Sequence, residues 1–157
     1  MRVAVGSDHA GYRLKQHLAA RLAEAGEDVL DLGAKSEESC DYPDYGRAVG
    51  AAVVSGQADW GLVICGTGLG ISMAANRLPG VRAARCTSEY DARFARAHND
   101  ANVLALGSRV SGVGLAEAIV ETFRSTAFEG GRHQRRVAKI DAPAAADGGA
   151  PAPGSER

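Results

Sequence analysis

The sequence predicts a doubly wound, three-layer α/β sandwich with a parallel sheet of about five strands. Three observations carry that reading. The runs "RVAVG" (2–6), "WGLVIC" (60–65) and "NVLALG" (102–107) are continuously apolar rather than alternating, which marks strands covered on both faces. Each is followed by a stretch with helical spacing, and strand–helix alternation builds a parallel sheet. Polar or glycine-rich loops, "SDHAG", "CGTGLG" and "GSR", stand directly after three of the strands. In such sheets ligands bind beyond the carboxyl ends of the strands, so these loops already mark a site.

The elements follow in order. After the first strand, Leu14, Leu18 and Leu22 recur every fourth residue until Gly26 stops the helix. "DVLDLG" (28–33) reads as the second strand. A polar loop with "SEESCDYPDY" leads into a helix of small residues from about Asp44 to Ser55. The buried strand 60–65 precedes the glycine loop and a short helix, "ISMAANR". "VRAARC" (81–86) is the fourth strand. Ser88, with Asp91 three residues on, forms a capping box for a helix with Tyr90, Phe94 and Ala97 on one face. After the fifth strand, Ser111 caps a helix carrying Leu115, Ile119 and Phe123. Residues 1–140 form one domain. Residues 141–157, "DAPAAADGGAPAPGSER", have almost nothing to bury and read as a disordered tail.

Composition excludes several function classes. No stretch approaches the ~18 apolar residues of a membrane span. Asp8 and His9 interrupt the N-terminal apolar run, so no secretory signal is expected. The net charge of −1 gives no global attraction to nucleic acid or anionic membrane. Cys40, Cys65 and Cys86 are odd in number and widely spaced, without a CxxC pair. That argues against a disulfide framework or a zinc site and fits a reducing cytoplasm.

The chemistry-bearing residues gather around those loops. "GTGLG" offers backbone N–H groups near a helix N-terminus, suited to an anion or a developing oxyanion. It is not a dinucleotide fingerprint, because Ile71 stands where the third glycine belongs. In "GSDHAG" the glycines have P-loop spacing, but Tyr12 and Arg13 replace the lysine and hydroxyl residue that handle phosphate. Cys65 is either a small core residue or a thiol whose anion the adjacent N–H groups stabilise. Cys40 and Cys86 lack that setting and read as structural. His17 lies mid-helix among polar neighbours and reads as a surface residue. His9 follows Asp8 in a ligand-facing loop. His98, beside Asn99, ends a helix immediately before the fifth strand, at the sheet's ligand edge or a subunit boundary. Arg132 and Arg136, spaced i, i+4, share a helix face and suit a phosphate clamp; the bland alternative is a solvated basic face.

Together "GSDHAGYRLK", "DYPDY", "CGTGLGISMAANR", "ARAHNDANVLALGSR" and "GGRHQRRV" resemble type B ribose-5-phosphate isomerases and the related galactose- and allose-6-phosphate isomerases. The resemblance runs in register from residue 2 to about 140. It implies a Rossmann-like sheet and aldose–ketose isomerisation without metal or other cofactor. It also implies a homodimer or tetramer whose active sites are completed across the dimer interface. By the same matching, Cys65 is the base that moves a proton between C1 and C2. The loop Gly66, Thr67, Gly68 and Gly70 holds the enediolate, with Thr67 on the substrate. His98 opens the sugar ring with help from Asp8. Asn99 binds sugar hydroxyls; His9, Arg109, Arg132 and Arg136 surround the phosphate; Tyr42 lines the pocket. A second branch of the family has a glutamate at the position of Ile71. Isoleucine takes no proton, so this chain resembles the cysteine branch.

The leading expectation is therefore a cofactor-free, cytoplasmic sugar-phosphate isomerase with ribose 5-phosphate as substrate. The alternatives are a tetrose, allose or galactose phosphate on the same site, a cysteine hydrolase or transferase, and a non-catalytic phosphosugar-binding module.

Overall fold

The computed structural model describes residues 1–143. Its elements are β1 (Arg2–Ser7), α1 (Tyr12–Glu24), β2 (Asp28–Asp31), α2 (Tyr42–Val54), β3 (Trp60–Cys65), α3 (Leu69–Ala75), β4 (Ala83–Arg85), α4 (Glu89–Ala97), β5 (Val103–Gly107), α5 (Val113–Ser125) and α6 (Arg132–Asp141). All strand pairs are parallel, in the order β2-β1-β3-β5-β4. The order in which successive strands are placed reverses between β1 and β3, so the loops that leave those two strands lie at the switch point of the sheet.

Alternate strand residues feed two cores. Val3, Val5, Leu62, Ile64, Leu104 and Leu106 pack against α1, α4 and α5. Ala4, Val63, Cys65, Val103 and Ala105 face α2 and α3. The second face is lined by small residues, and α2 comes close to it. A Cβ on Gly6 would lie 2.7 Å from Val49, and one on Gly61 would lie 2.6 Å from the same side chain. Side chains of the Cys65 face are thus held in a tight, rigid layer.

The edge strands are shorter than expected. β2 ends at Asp31 and β4 covers only Ala83–Arg85, since each has a partner on one side only. The Ser88–Asp91 capping box forms as expected. Two expectations are corrected. Gly112, not Ser111, is the N-cap of α5; Ser111 is buried and its hydroxyl has no protein partner. Leu115 and Tyr90 face outward, the core faces being formed instead by Ala116, Ile119, Val120 and Phe123 on α5 and by Ala92 and Ala95 on α4. Among the described residues no helix is long and apolar enough to cross a membrane. Most of the expected tail, 144–157, lies outside the described residues.

Candidate active site

Three loops at the carboxyl edge of the sheet are tied to one another by hydrogen bonds. The N–H of Asp8 donates to the Ile64 carbonyl (3.3 Å), that of Ser108 to Cys65 (2.9 Å), and that of Arg109 to Gly66 (3.0 Å). The Ser108 hydroxyl donates to the Ala10 carbonyl at 2.8 Å. Backbone-to-backbone bonds of this kind give the site a fixed frame before any side chain is considered.

Cys65 ends β3 and is 4% exposed. Its Sγ accepts the Gly68 N–H at 3.1 Å, a polar partner aimed at sulfur from the following turn. That turn requires Gly68: its φ is +76°, and a Cβ there would lie 2.9 Å from the Leu106 backbone. Thr67 is exposed; its Oγ1 accepts the Leu69 N–H at 3.3 Å, and its carbonyl accepts from Arg85 Nε at 2.8 Å. The Arg109 guanidinium lies over Gly66 and the Tyr42 ring over Gly70. A Cβ on either glycine would stand 3.4 Å and 2.6 Å from them respectively. Glycine at 70 therefore clears space for the aromatic ring, whereas at 66 a Cβ would make only ordinary contact with the cation.

Asp8 is 5% exposed and its Oδ1 accepts the Gly11 N–H at 3.0 Å. His9 Nδ1 lies 3.2 Å from the Cys40 backbone nitrogen and 3.3 Å from the Cys40 carbonyl oxygen. Cys40, expected to be structural, neighbours His9 and Tyr45. Tyr45 is the residue that sequence reasoning missed here. Its hydrogen bond with Cys40, with burial and the charges of Asp44 and Asp8, holds its phenol above the usual range. It therefore stays protonated. Cys86 is a different thiol: burial, then Asp91, pushes it up to about 12, as befits an inert core group. Ile71, on α3, is wholly buried in the core beneath α2 and α3.

The other expected residues gather elsewhere. His98 caps the C-terminus of α4 and stacks on His133, with ring centroids 4.1 Å apart and planes 9° from parallel. Phe94 and Tyr90 continue the row at 4.6 and 4.5 Å. Glu129 Oε2 lies 3.6 Å from His98 Nε2 and 3.7 Å from His133 Nε2. Arg132 Nε donates to His133 Nε2 at 3.3 Å, and Arg136 faces the same ring. Burial first, then the His98 and Arg132 charges, holds His133 below the usual histidine range. His133, hidden in a basic run, was also missed; with Val137 it forms the buried face of α6.

His98, Glu129 and His133 bring three ligand atoms within 4.8 Å of one another. They fit a metal poorly. The two rings are stacked almost parallel, and Arg132 Nε already donates to His133 Nε2.

Among the described residues no hydrogen bond, ion pair or ring contact joins the His98 group to the Cys65 group. Strand polarity explains why. Cys65 pairs in register with Gly107 at the end of β5, whereas His98 precedes Val103 at its start. At about 3.3 Å per residue the two ends lie roughly 13 Å apart. His98 is thus at the opposite edge of its own sheet from Cys65, and of the two places expected for it the ligand edge is excluded. A cleft of about 610 Å³ opens between residues 76–84, Asn99 and the end of α6, away from Cys65. Its walls carry no thiol or histidine.

The family model described as Ribose/Galactose Isomerase matches residues 3–140. The chain belongs to that family. Ribose-5-phosphate isomerase B of Escherichia coli is 50% identical over 141 residues, 90% of this chain and 95% of the relative. A putative sugar phosphate isomerase of Bacillus subtilis is 43% identical over 89% of this chain and 95% of its own. Among solved structures, the Clostridium thermocellum ribose-5-phosphate isomerase B superposes with a TM-score of 0.89 at 56% identity. It covers 90% of this chain and 95% of that one. The Rossmann-like fold and the family expected from the five motifs are both confirmed.

Proposed function

We propose that this chain is a cofactor-free aldose–ketose isomerase that interconverts ribose 5-phosphate and ribulose 5-phosphate, working in the cytoplasm. The observation that carries the reading is the Cys65–Gly68 turn, where the thiol accepts the Gly68 N–H at the carboxyl edge of the sheet. The family match and the ribose-5-phosphate isomerase B relatives supply the substrate class.

The chemistry follows from what each group offers. Cys65, as thiolate, takes the proton from C2 of the open-chain aldose and returns it to C1. Negative charge then develops on the oxygens of the enediolate, where the glycine loop and Thr67 stabilise it. Each hydrogen-bond donor so placed is worth about 3 kcal/mol in the transition state. Because ribose 5-phosphate is mostly a furanose, a group must first move a proton between the anomeric hydroxyl and the ring oxygen. His98 does this, with Asp8 holding the hydroxyl. Asn99 binds sugar hydroxyls and Tyr42 walls the pocket. Arg109, Arg132, Arg136 and His9 hold the phosphate, a remote anchor whose binding energy orients the reacting carbons.

The working unit is a homodimer, in which the Cys65 group of one protomer meets the His98–Arg132–Arg136 group of the other. The separation of the two groups along the strands supports this, as do the exposed Leu69 and Met73 on α3, which stand beside the glycine loop. The test of the function is turnover of ribose 5-phosphate in deuterated water. Deuterium enters the product at C1, EDTA has no effect, and Cys65→Ala removes nearly all activity. Full activity in that variant sinks the mechanism.

A further inference from the structure

Arg82 stands between the two segments that carry the second half of the proposed site. Its guanidinium side chain is 16% exposed. Nε donates to the Asp100 carbonyl at 2.9 Å, Nη2 to Asp100 Oδ2 at 3.1 Å, and Nη1 to Asp141 Oδ2 at 2.8 Å. The Arg82 N–H also donates to Asn102 Oδ1 at 2.8 Å, and Asn102 Nδ2 donates to the Gly80 carbonyl. Arg96 closes the other side of Asp100, with Nη1 at 3.2 Å from Oδ1.

Asp100 is the one non-glycine with positive φ among the described residues, at +46°. A left-handed residue of this kind persists where its surroundings over-determine it, and here two arginines hold its carboxylate. His98 and Asn99 directly precede it. Asp141 is the last residue of α6, the helix that carries Arg132 and Arg136. One planar cation thus ties the 98–102 loop to the far end of α6, while the His98–His133 stack ties the near end.

We propose that Arg82 is a positioning residue, which fixes the spacing between the phosphate clamp on α6 and the His98–Asn99 pair by gripping Asp100 and Asp141 together. The proposal rests on the isomerase reading above. Arg82 need not touch substrate; it acts through the geometry of two segments that do.

The test compares a ligand that spans both segments with one that meets the clamp alone. In full-length Arg82→Met, kcat/KM for ribose 5-phosphate falls about 10- to 100-fold, because misplacing a reacting group by an ångström costs that much. Inhibition by inorganic phosphate, which meets only the clamp, keeps its constant within about twofold. Asp141→Ala, at an exposed position, gives the same split, and the double variant is no worse than Arg82→Met because both act through one contact. A phosphate inhibition constant that rises with KM overturns the proposal, as does unchanged kcat/KM in both single variants. Hydrogen exchange provides a readout independent of turnover. Amides of 98–102 and 132–141 exchange faster together in Arg82→Met and in Asp141→Ala, and unchanged exchange also overturns the proposal. If the wild type converts no sugar phosphate, the isomerase reading fails, and the exchange measurement still decides the role of Arg82.

Discussion

A shared site makes a quantitative prediction about mixed dimers. A base attacking C2 must lie within about 3–3.5 Å of the reacting atom, and the ring-opening group must reach the same five-carbon sugar. Yet Cys65 stands at the exit of β3, and His98 lies ahead of the entry of β5, whose two ends are roughly 13 Å apart along the strand. Cys65→Ala and His98→Asn homodimers each spoil both of their sites. When the two chains are co-expressed in equal amounts, half of the dimers are mixed. In a two-fold dimer with sites across the interface, each mixed dimer holds one intact site and one doubly damaged site. The mixture then recovers about a quarter of wild-type activity. Ketose formation, followed by absorbance, measures it on the mixture, and mixed dimers isolated with two affinity tags show about half of wild-type activity. The reciprocal pairing is the control. Wild type mixed with the Cys65→Ala/His98→Asn double variant yields hybrids with no intact site, whereas sites contained within one chain would leave one site working in each hybrid. Activity in that hybrid, with none in the first, refutes the shared site.

Three further outcomes follow from single residues. Gly68→Ala forces a Cβ into left-handed backbone 2.9 Å from Leu106, so stability falls by about 1–3 kcal/mol, read from denaturant unfolding, and turnover falls with it because the Cys65 partner moves. Asp91→Asn weakens the cap of α4 by about 1 kcal/mol at neutral pH. Hydrogen bonds from Thr87 and Ser88 hold the Asp91 carboxyl below its usual range. Its contribution is therefore full above the unfolded value of about 3.9 and is lost as pH falls through the lower folded value, so melting curves of variant and wild type converge in acid. At pH 8 the Cys86 thiol, pushed up to about 12, escapes alkylation in the folded protein while half-buried Cys40 reacts. Peptide mass spectrometry resolves the two, and rapid labelling of native Cys86 contradicts the reading.

The central strands were legible because burial on both faces leaves an unbroken apolar run, as in 60–65 and 102–107. The edge strands β2 and β4 were overextended because a half-covered strand ends where its single partner ends, and the sequence does not name that partner. Cys65 and its glycine loop could be read directly, since thiol and donors lie within four residues. Cys40 and Tyr45 could not, because they meet His9 and Asp8 only through the path of the 33–41 loop. His133 was masked by four neighbouring cations, although its i, i+4 spacing to Val137 was the signal of an inward face. The most instructive case is His98. Residues that follow a parallel strand lie at its carboxyl edge, and residues that precede one lie at the opposite edge. Asp8, His9, Cys65–Gly70 and Arg109 all follow strands, while His98 and Asn99 precede β5. Applied to the order of the elements alone, that rule divides the expected residues into two sets that one sheet cannot bring together. On the proposed reading, a substrate that needs both sets finds the second on another copy of the chain.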